Sequence, residues 1–362
     1  MKYYIISGET SGDNHASRVI QKIAELDKNA QYRGMGGDKS QAAGQTLFIH
    51  QKEMAIMGFV EILSSLFKIF RNLKKIKRDI LEWKPDALIL VDYPGFNFKI
   101  ARFGKSINIP VHYYISPKAW AWKEKRVNLI KRDVDYLYSI LPFEEAFFKP
   151  HGVKSIYVGN PSKETVDEYI ASSPTPDKKN CIVLLPGSRK QEIQSSLPIM
   201  LEAIKDYDST ILVAQAPGFD ENFYHQFNPK LKLISNDMYT LLNKSKLALV
   251  TSGTATLETA LMDVPQIVCY TTNQISYWIG KSVIKVKFIS LVNLILDKMS
   301  ITELIQDEFN PERLRTEINK LTGDSEKIKE IRSDYKELRK ILGNTRPSKK
   351  VAKSVVDSLK ID

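Results

Sequence analysis

Short apolar runs alternate with helical patterns along most of the chain, and this alternation restricts the possible folds more than any other feature. In the first half the runs fall at residues 3–7, 87–91, 111–115, 136–140 and 156–158, and they are rich in Ile, Val and Tyr. Such runs are typical of buried β-strands. Strands that alternate with helices predict a parallel, doubly wound sheet, because each parallel pair requires a crossover connection. We therefore predict an α/β fold.

The same alternation starts again after Pro161, which indicates a second sheet, with strands at 182–185, 211–214, 247–251 and 266–269. The polar stretch 172–179 contains two prolines and no apolar residue, as linkers do. We predict two Rossmann-like domains, residues 1–171 and 172–330, facing across a cleft. Residues 331–362 are predicted to form a helical tail that packs on the first domain or on a dimer partner. A length of 362 residues agrees with two domains of ~150 residues each.

Basic residues outnumber acidic ones by 53 to 42, so the net charge is +11 and an anionic partner is expected. Nucleic acid, lipid headgroups and phosphorylated metabolites all meet this condition. The basic residues are interspersed with acidic ones and form no recognised nucleic-acid module, so we predict no nucleic-acid partner. A non-catalytic binder of anionic surfaces stays open as an alternative.

The remaining composition indicates the cell compartment. Cys181 and Cys269 lie far apart in apolar runs, which predicts buried thiols in a reducing compartment. The first seven residues are too short for a signal-peptide core, and no run of ~20 apolar residues is available to span a membrane. We therefore predict a cytoplasmic protein that contacts a membrane only at its surface. The five histidines show no metal-ligand spacing, and no metal site is expected.

One amphipathic segment, residues 59–80, differs from the rest of the pattern. Its apolar residues recur at intervals of three and four, which predicts a helix with one apolar face, and Phe67 and Phe70 widen that face. Basic residues crowd its second half. The segment is either a core helix with a solvated basic face or an interfacial helix that contacts acyl chains and anionic headgroups.

Three predicted strands of the first half end in residues suited to chemistry. The turn Gly8-Glu9-Thr10-Ser11-Gly12-Asp13 precedes a helix and suits an anion, or is a tight turn in which Ser11 or Asp13 caps that helix. Asp92 follows the strand 87–91 and is either a general base or a helix cap. Trp120 and Trp122 lie near the end of the next strand, where aromatic rings suit a sugar or a membrane interface, unless one of them packs in the core.

The second half contains a candidate diphosphate site. Arg189 follows the strand 182–185 and can bind a phosphate through two hydrogen bonds. The turn Ser252-Gly253-Thr254-Ala255-Thr256 offers backbone amides and hydroxyls at a helix N-terminus, and Glu258 lies where it can accept hydrogen bonds from ribose hydroxyls. Together these residues predict a nucleotide diphosphate site.

Taken in order, several of these motifs resemble those of one family. They are Gly8 to Asp13, Met57-Gly58, Asp92-x-Pro-x-Phe96-Asn97, Ser116-Pro117-x-x-Trp120-Ala121-Trp122, Leu141-Pro142-Phe143-Glu144, Leu185-Pro186-Gly187-Ser188-Arg189 and Ser252 to Glu258. The set resembles lipid-A-disaccharide synthase, an inverting glycosyltransferase with the GT-B fold. The resemblance implies that UDP-2,3-diacylglucosamine is joined to 2,3-diacylglucosamine 1-phosphate (lipid X) through a β-1,6 linkage, with release of UDP. It also implies a metal-independent reaction without a cofactor, a homodimer with C-terminal exchange, and peripheral association with the inner membrane.

The resemblance also assigns roles to residues. Asp92 is expected to be the general base, and Glu9 is the alternative base or a partner that orients the hydroxyl. UDP is expected to be held by Arg189, Ser252, Gly253, Thr254, Ala255, Thr256, Glu258 and Asn293. The acceptor and its lipid chains are expected to contact Ser11, Met57, Phe67, Phe70, Ser116, Trp120, Trp122 and Arg126. Two other GT-B enzymes remain alternatives, a glycosyltransferase with a polyprenyl-linked acceptor and a UDP-sugar 2-epimerase.

Overall fold

The chain folds into two units, each built around its own parallel sheet. The computed structural model describes residues 1–54, 62–121, 124–173, 181–235, 237–251, 253–273, 277, 286–323 and 325–360, with only the backbone described for 62–67. The first unit comprises Met1–Pro161 and Asn344–Asp362, and the second comprises Ser162–Gly343. Two parallel-sheet units with intervening helices confirm the predicted α/β class.

The first unit has a seven-stranded sheet with the order β3-β2-β1-β4-β5-β6-β7, and all neighbours are parallel. Its strands are β1 (Lys2–Ser7), β2 (Gln31–Gly36), β3 (Thr46–His50), β4 (Ala87–Val91), β5 (Val111–Tyr114), β6 (Tyr136–Ser139) and β7 (Ser155–Tyr157). Its helices include α1 (Thr10–Leu26), α2 (Asp38–Ala42), α3 (Ile62–Trp83), α4 (Pro94–Ser106), α5 (Arg126–Asp133) and α6 (Glu144–Phe148), with 3-10 turns at Gln51–Met54 and Lys149–His151.

The second unit has a six-stranded parallel sheet with the order β10-β9-β8-β11-β12-β13. Its strands are β8 (Cys181–Leu185), β9 (Thr210–Gln215), β10 (Lys232–Ser235), β11 (Leu247–Thr251), β12 (Gln266–Tyr270) and β13 (Glu303–Ile305). Helix α7 (Pro161–Ser172) begins at the junction, and α8 (Lys190–Ile204), α9 (Glu221–His225), α10 (Met238–Lys244), α11 (Thr254–Leu261), α12 (Leu291–Leu296), α13 (Pro311–Gly323) and α14 (Ser325–Leu342) follow, with a 3-10 turn at Gln306–Glu308.

Alternation along the central strands builds two apolar layers in the first unit. Tyr4 and Ile6 of β1 join the layer that contains α3 and α4, whereas Tyr3 and Ile5 join the layer that contains α1. Successive side chains of a strand point to opposite faces, so an uninterrupted apolar strand places residues in both layers. All five residues of β4 are buried for the same reason. This core fixes the carboxyl ends of β1, β4 and β5.

The junction between the units lies at Pro161, before the predicted linker. Helix α7 belongs to the second unit because its side chains bind there: the Tyr169 hydroxyl lies 2.9 Å from Thr240 Oγ1, and Asp167 forms an ion pair with Arg339 at 2.9 Å. The polar stretch 172–179 therefore follows a helix of the second unit instead of separating the units. Most of that stretch lies outside the described residues.

The C-terminal helices belong to different units, so the predicted tail 331–362 is not one element. Helix α14 is part of the second unit, where the buried Tyr335 hydroxyl donates to the Val264 carbonyl at 3.2 Å. The chain returns to the first unit at Asn344, and Pro347 begins a last helix, α15 (Pro347–Ser358). Val351, Ala352, Val355 and Val356 of α15 pack in the apolar layer of α1. The periodic apolar residues therefore predicted helices correctly, but they did not reveal that the helices lie in different units.

Helix α3 packs in the core along its second half and leaves an aromatic side chain, Phe70, exposed. In its second half, Leu73, Ile76 and Ile80 are buried in the core of the first unit. Phe70 is 56% exposed, with the Lys99 ammonium 4.3 Å from its ring centroid. Residues 59–61 and the Phe67 side chain lie outside the described part. The second half is thus a core helix with a solvated basic face, while Phe70 faces solvent.

Candidate active site

Asp92 lies immediately after β4 in a strained turn. Asp92 and Tyr93 both have positive φ, 47° and 50°, which non-glycine residues adopt at a cost of about 1–3 kcal/mol each. The turn is held through the Asp92 carbonyl, which accepts hydrogen bonds from Asn97 Nδ2 and the Tyr113 hydroxyl, both at 2.7 Å. The N-cap of α4 is Tyr93, without a side-chain cap, so the Asp92 carboxylate does not cap this helix.

Opposing influences act on the Asp92 carboxyl. Burial raises its pKa above the usual value, and the nearby Glu9 carboxylate raises it further. Lys118, the Tyr93 N–H and Arg126 act in the opposite direction. A half-buried carboxylate at a strand end, among charged neighbours and strained backbone, is a candidate general base.

The turn after β1 places Glu9 beside Asp92. Helix α1 already begins at Thr10, with Glu9 as its N-cap residue, so neither Ser11 nor Asp13 is the cap. Glu9 and Ser11 are exposed. Gly8 is required because an added Cβ would lie 2.4 Å from the Tyr93 ring.

Asp13 belongs to the scaffold. Its carboxylate is buried and accepts hydrogen bonds from the backbone N–H groups of Gly37 at 2.8 Å, Lys39 at 3.0 Å and Ser40 at 3.1 Å. It therefore caps α2 instead of α1, and ties the two helices together.

The segment after β5 is held by a residue that sequence reasoning did not select. The hydroxyl of the buried Ser116 donates to Glu144 Oε1 at 2.6 Å, and the Trp120 indole N–H donates to the same oxygen at 3.0 Å. The Trp120 ring also meets Phe143 edge-on, with centroids 4.9 Å apart. The polar groups of Ser116 and of the half-buried Trp120 therefore already have a partner within the protein. Arg126, which begins α5, lowers the pKa of Asp92. Met57 and Trp122 lie outside the described residues.

The second unit contains a cavity of about 670 Å³ at the carboxyl ends of β8, β9 and β11. Five predicted UDP-binding residues line it, Arg189, Gly253, Thr254, Ala255 and Glu258. Other lining residues are Leu185, Pro186, Gly187, Ser188, Glu192, Ala214, Gln215, Ala216, Pro217, Ile234, Asp237, Met238, Tyr239 and Thr251. Ligands of open parallel sheets bind at this end of the strands. Ser252 lies outside the described residues.

Two helix N-termini border the cavity. Gly253 is the N-cap of α11 with φ 138° and ψ −158°, a conformation that is essentially restricted to glycine. Helix α8 starts after Arg189, whose side chain is 83% exposed, and Glu192 accepts the N–H groups of Ser188 at 3.0 Å and Arg189 at 3.1 Å. Helix N-termini favour anions, and an exposed guanidinium adds a positive charge.

Glu258 supplies a carboxylate on the cavity wall. The Tyr239 hydroxyl donates to Glu258 Oε1 at 3.0 Å, and Ser162 donates a second hydrogen bond. Burial raises the pKa of Glu258, while these two hydrogen bonds lower it. A carboxylate on a cavity wall is chemically able to accept hydrogen bonds from vicinal hydroxyls such as those of ribose.

Two predicted UDP contacts have other partners in the structure, and neither lines the cavity. Thr256 is buried and its hydroxyl donates to the Gly253 carbonyl at 2.9 Å, which stabilises the turn. Asn293 is buried too: its Nδ2 donates to Glu303 Oε1 at 2.8 Å, and its Oδ1 accepts the N–H of Ser300 at 2.9 Å. Asn293 therefore supports the connection to β13.

Sequence reasoning missed Glu144, Glu192 and Tyr239. Glu192 stands three residues after Arg189, the spacing of a capping box, so its pattern was visible in the sequence. Glu144 lies in a motif that the sequence analysis quoted, but its partners Ser116 and Trp120 are distant in sequence. Tyr239 carries no recognisable signal.

The described residues contain no group of three His, Cys, Asp or Glu side chains placed to hold a metal ion. The first unit offers a candidate base, and the second offers a cavity suited to a nucleotide diphosphate. This combination fits transfer of a group from a nucleotide to a hydroxyl.

Comparison with known proteins agrees with this chemistry. A model of the family described as lipid-A-disaccharide synthetase matches residues 3–356. The lipid-A-disaccharide synthase of Myxococcus xanthus is 35% identical over 377 residues, covering 98% of this chain and 97% of that protein. The enzyme of the same name from Syntrophus aciditrophicus is 36% identical over 355 residues, covering 94% and 93%.

Solved structures resemble the chain in fold at much lower identity. The UDP-GlcNAc 2-epimerase of Methanocaldococcus jannaschii, in complex with UDP-GlcNAc and UDP, matches with a TM-score of 0.65 at 14% identity, covering 99% of this chain and all of that chain (100%). A transferase from Siraitia grosvenorii in complex with UDP matches with a TM-score of 0.63 at 9% identity, covering 99% of each chain. These likenesses bear on the fold alone, and they confirm the predicted GT-B class.

Proposed function

The chain belongs to the lipid-A-disaccharide synthetase family, and from this premise we propose that it joins UDP-2,3-diacylglucosamine to 2,3-diacylglucosamine 1-phosphate. The products are lipid A disaccharide 1-phosphate, with an inverted β-1,6 linkage, and UDP. The observation that carries this function is the family match over residues 3–356. The site geometry supports it through a candidate base and a diphosphate cavity.

Asp92 is proposed to take the proton of the acceptor's 6-hydroxyl. The hydroxyl oxygen then forms a bond to the anomeric carbon while the bond from that carbon to the UDP phosphate oxygen breaks. The proton stays on the Asp92 carboxylate, and the negative charge leaves on UDP. Burial and Glu9 keep this carboxylate more basic than an exposed aspartate, which supports its selection.

UDP is proposed to occupy the cavity of the second unit. Its diphosphate would lie against the N-terminus of α11 and the Arg189 guanidinium, and Glu258 would accept hydrogen bonds from the ribose. The leaving charge is then stabilised by a helix terminus and a fixed cation. Ser252 is retained in this set because of its place in the motif.

The acceptor is proposed to bind near Asp92. Ser11, which is exposed in the first turn of α1, and Arg126 would contact its polar groups. Trp120 and Ser116 would shape this region through their contacts with Glu144. Met57, Phe67, Phe70 and Trp122 are proposed for the acyl chains because of their apolar character.

The basic face of α3 is proposed to rest on an anionic membrane surface. Arg71, Lys74, Lys75 and Arg78 are exposed on this helix, and Phe70 is an exposed apolar side chain beside them. In such a combination the apolar side chain contacts the acyl chains near the membrane surface, and the basic side chains contact the anionic headgroups. None of the helices in the described ranges has the length and apolar content needed to cross a bilayer.

Replacing Phe67 and Phe70 with Ser should lower binding to vesicles of phosphatidylethanolamine and phosphatidylglycerol by about a hundredfold or more, since each phenyl ring buried in lipid contributes about 1.5–3 kcal/mol. The apparent KM for the acceptor should rise, while far-UV circular dichroism stays unchanged. Ile170→Ser is the control, because Ile170 is 48% exposed on α7 of the second unit and does not belong to α3. Vesicle binding and kinetics equal to those of the unmodified protein would contradict membrane contact here.

We also propose a homodimer that exchanges α15. The contacts of α15 with α1 can be made with a second copy through the same residues, which is the usual basis of exchange. The connection at 343–346 would then be the hinge. Light scattering of the full chain at micromolar concentration should give twice the monomer mass, and a monomer mass would rule the exchange out.

The function itself is tested by supplying both substrates. Purified protein, UDP-2,3-diacylglucosamine and 2,3-diacylglucosamine 1-phosphate should yield UDP and a disaccharide phosphate, detected by mass spectrometry. An epimerase would instead convert UDP-GlcNAc without any acceptor, and that outcome would contradict the proposal.

A further inference from the structure

Glu144 is a buried carboxylate with four hydrogen-bond partners. It is 1% exposed at the start of α6, and its Oε1 accepts from Ser116 and Trp120. Its Oε2 accepts the backbone N–H groups of Ile140 at 3.0 Å and Leu141 at 2.9 Å. The indole and both amide groups can only donate, so both oxygens must accept. An ionised carboxylate meets this demand, whereas a glutamine side chain would turn an NH₂ group toward donors.

These bonds fix both ends of one short segment. Ser116 and Trp120 lie near the two ends of residues 116–121, and Lys118 lies between them with an exposed side chain. The residue before the segment, Ile115, has a φ of 68°, which β-branched residues rarely adopt. A strained entry and two side-chain anchors indicate that the path of this segment is determined by its surroundings and not by local preference.

The positive charge of Lys118 lowers the pKa of Asp92, the candidate base. Among the residues that the structure describes, the charged and titratable groups around Asp92 are Glu9 from the start of α1, the adjacent Tyr93, Tyr113 from β5, Lys118 and Arg126. Lys118 and Arg126 favour the ionised form of Asp92, and Glu9 opposes it. The position of Lys118 therefore sets part of the basicity of Asp92.

We infer that Glu144 is a positioning residue for the transfer reaction: by holding residues 116–121 at both anchors, it keeps Lys118 in place beside Asp92. The inference rests on the proposed function, because it assigns Glu144 to the same reaction. Glu144 is buried and bonded to protein groups, so it acts through the segment that it holds. Its influence passes through Lys118.

The test is the pH profile of kcat/KM for Glu144→Gln. Displacement of Lys118 removes a positive charge from Asp92, so the pKa of the base rises. The base works as a carboxylate, so the acid limb of the profile should move to higher pH by about half a unit or more. The Kd for UDP should stay unchanged, since the UDP cavity lies in the second unit.

Glu145→Gln is the control, because Glu145 is the exposed neighbour on α6 and accepts the Tyr157 N–H at 2.6 Å. Its profile should match that of the unmodified protein. Trp120→Phe removes one donor and keeps a ring, so it should shift the acid limb in the same direction by a smaller amount. This milder variant keeps the test valid where Glu144→Gln folds poorly.

A double-mutant cycle that combines Glu144→Gln with Lys118→Ala tests whether Glu144 influences Asp92 through Lys118. The single variants should shift the acid limb similarly, and the double variant should shift it no further than the larger single effect. A lower melting temperature with an unchanged acid limb, or shifts that add in full, would overturn the inference. Absence of transfer by the unmodified protein would overturn the proposed function, and this inference with it.

Discussion

Asp92→Asn is expected to lower kcat by about 10²–10⁴-fold, the usual contribution of a positioned general base. The amide keeps the size of the carboxyl group and cannot take the acceptor's proton. The strained turn should survive, because it is held through the Asp92 carbonyl by Asn97 and Tyr113, and these bonds do not involve the side chain. The Kd for UDP should be unchanged. Single-turnover kinetics and calorimetric titration with UDP measure the two effects separately.

Glu9→Gln is the matched comparison for this prediction. It removes a negative charge that raises the pKa of Asp92, so the acid limb of activity should move to lower pH. Turnover at neutral pH should fall much less than in Asp92→Asn. Near-normal turnover in Asp92→Asn, combined with a severe loss in Glu9→Gln, would transfer the role of base to Glu9.

Gly253→Ala is expected to weaken UDP binding by about tenfold to hundredfold, because strain of about 1–3 kcal/mol is needed to keep a side-chain-bearing residue in this backbone conformation. An added Cβ would meet no atom within 4 Å, so the effect comes from the backbone and not from a clash. Relief of the strain would rotate the N–H groups at the start of α11 away from the cavity. Calorimetric titration with UDP measures the change.

Gly323→Ala provides the control for that prediction. Gly323 ends α13, also has open space around its Cα, and does not have a φ in the left-handed range. Its replacement should leave UDP affinity unaltered. Equal UDP affinity in Gly253→Ala and the unmodified protein would show that this turn does not hold the diphosphate.

The sequence predicted the central strands and the edge strand β7, but it did not predict β2, β3, β10 and β13. β1, β4, β5, β8 and β11 are buried on both faces and therefore read as continuous apolar runs. β3, β10 and β13 lie at sheet edges, and β2 carries Arg33, whose guanidinium binds the buried Asp79 carboxylate of α3 at 2.8 Å. A polar residue whose partner is distant in sequence interrupts the apolar run, so a local pattern does not predict the strand.

The candidate site shows the same division. Asp92 and the Gly253 turn follow predicted strands, so the rule that ligands bind at carboxyl ends of strands was enough to select them. Contacts between distant residues were not predictable: Asp13 caps α2, Asn293 binds Glu303, and Glu144 holds Ser116. Side chains that come together only in the folded chain have no characteristic spacing in the sequence, so their contacts cannot be predicted from it.

The return of α15 to the first unit has a consequence for synthesis. Residues 1–161 leave the ribosome long before Val351 and Val355, which complete the apolar layer of α1. The second unit is one uninterrupted stretch, so it can finish folding while the first still has a water-exposed apolar surface on α1. That surface stays accessible to chaperones and proteases until α15 is synthesised, and limited proteolysis of chains stalled before α15 would detect it.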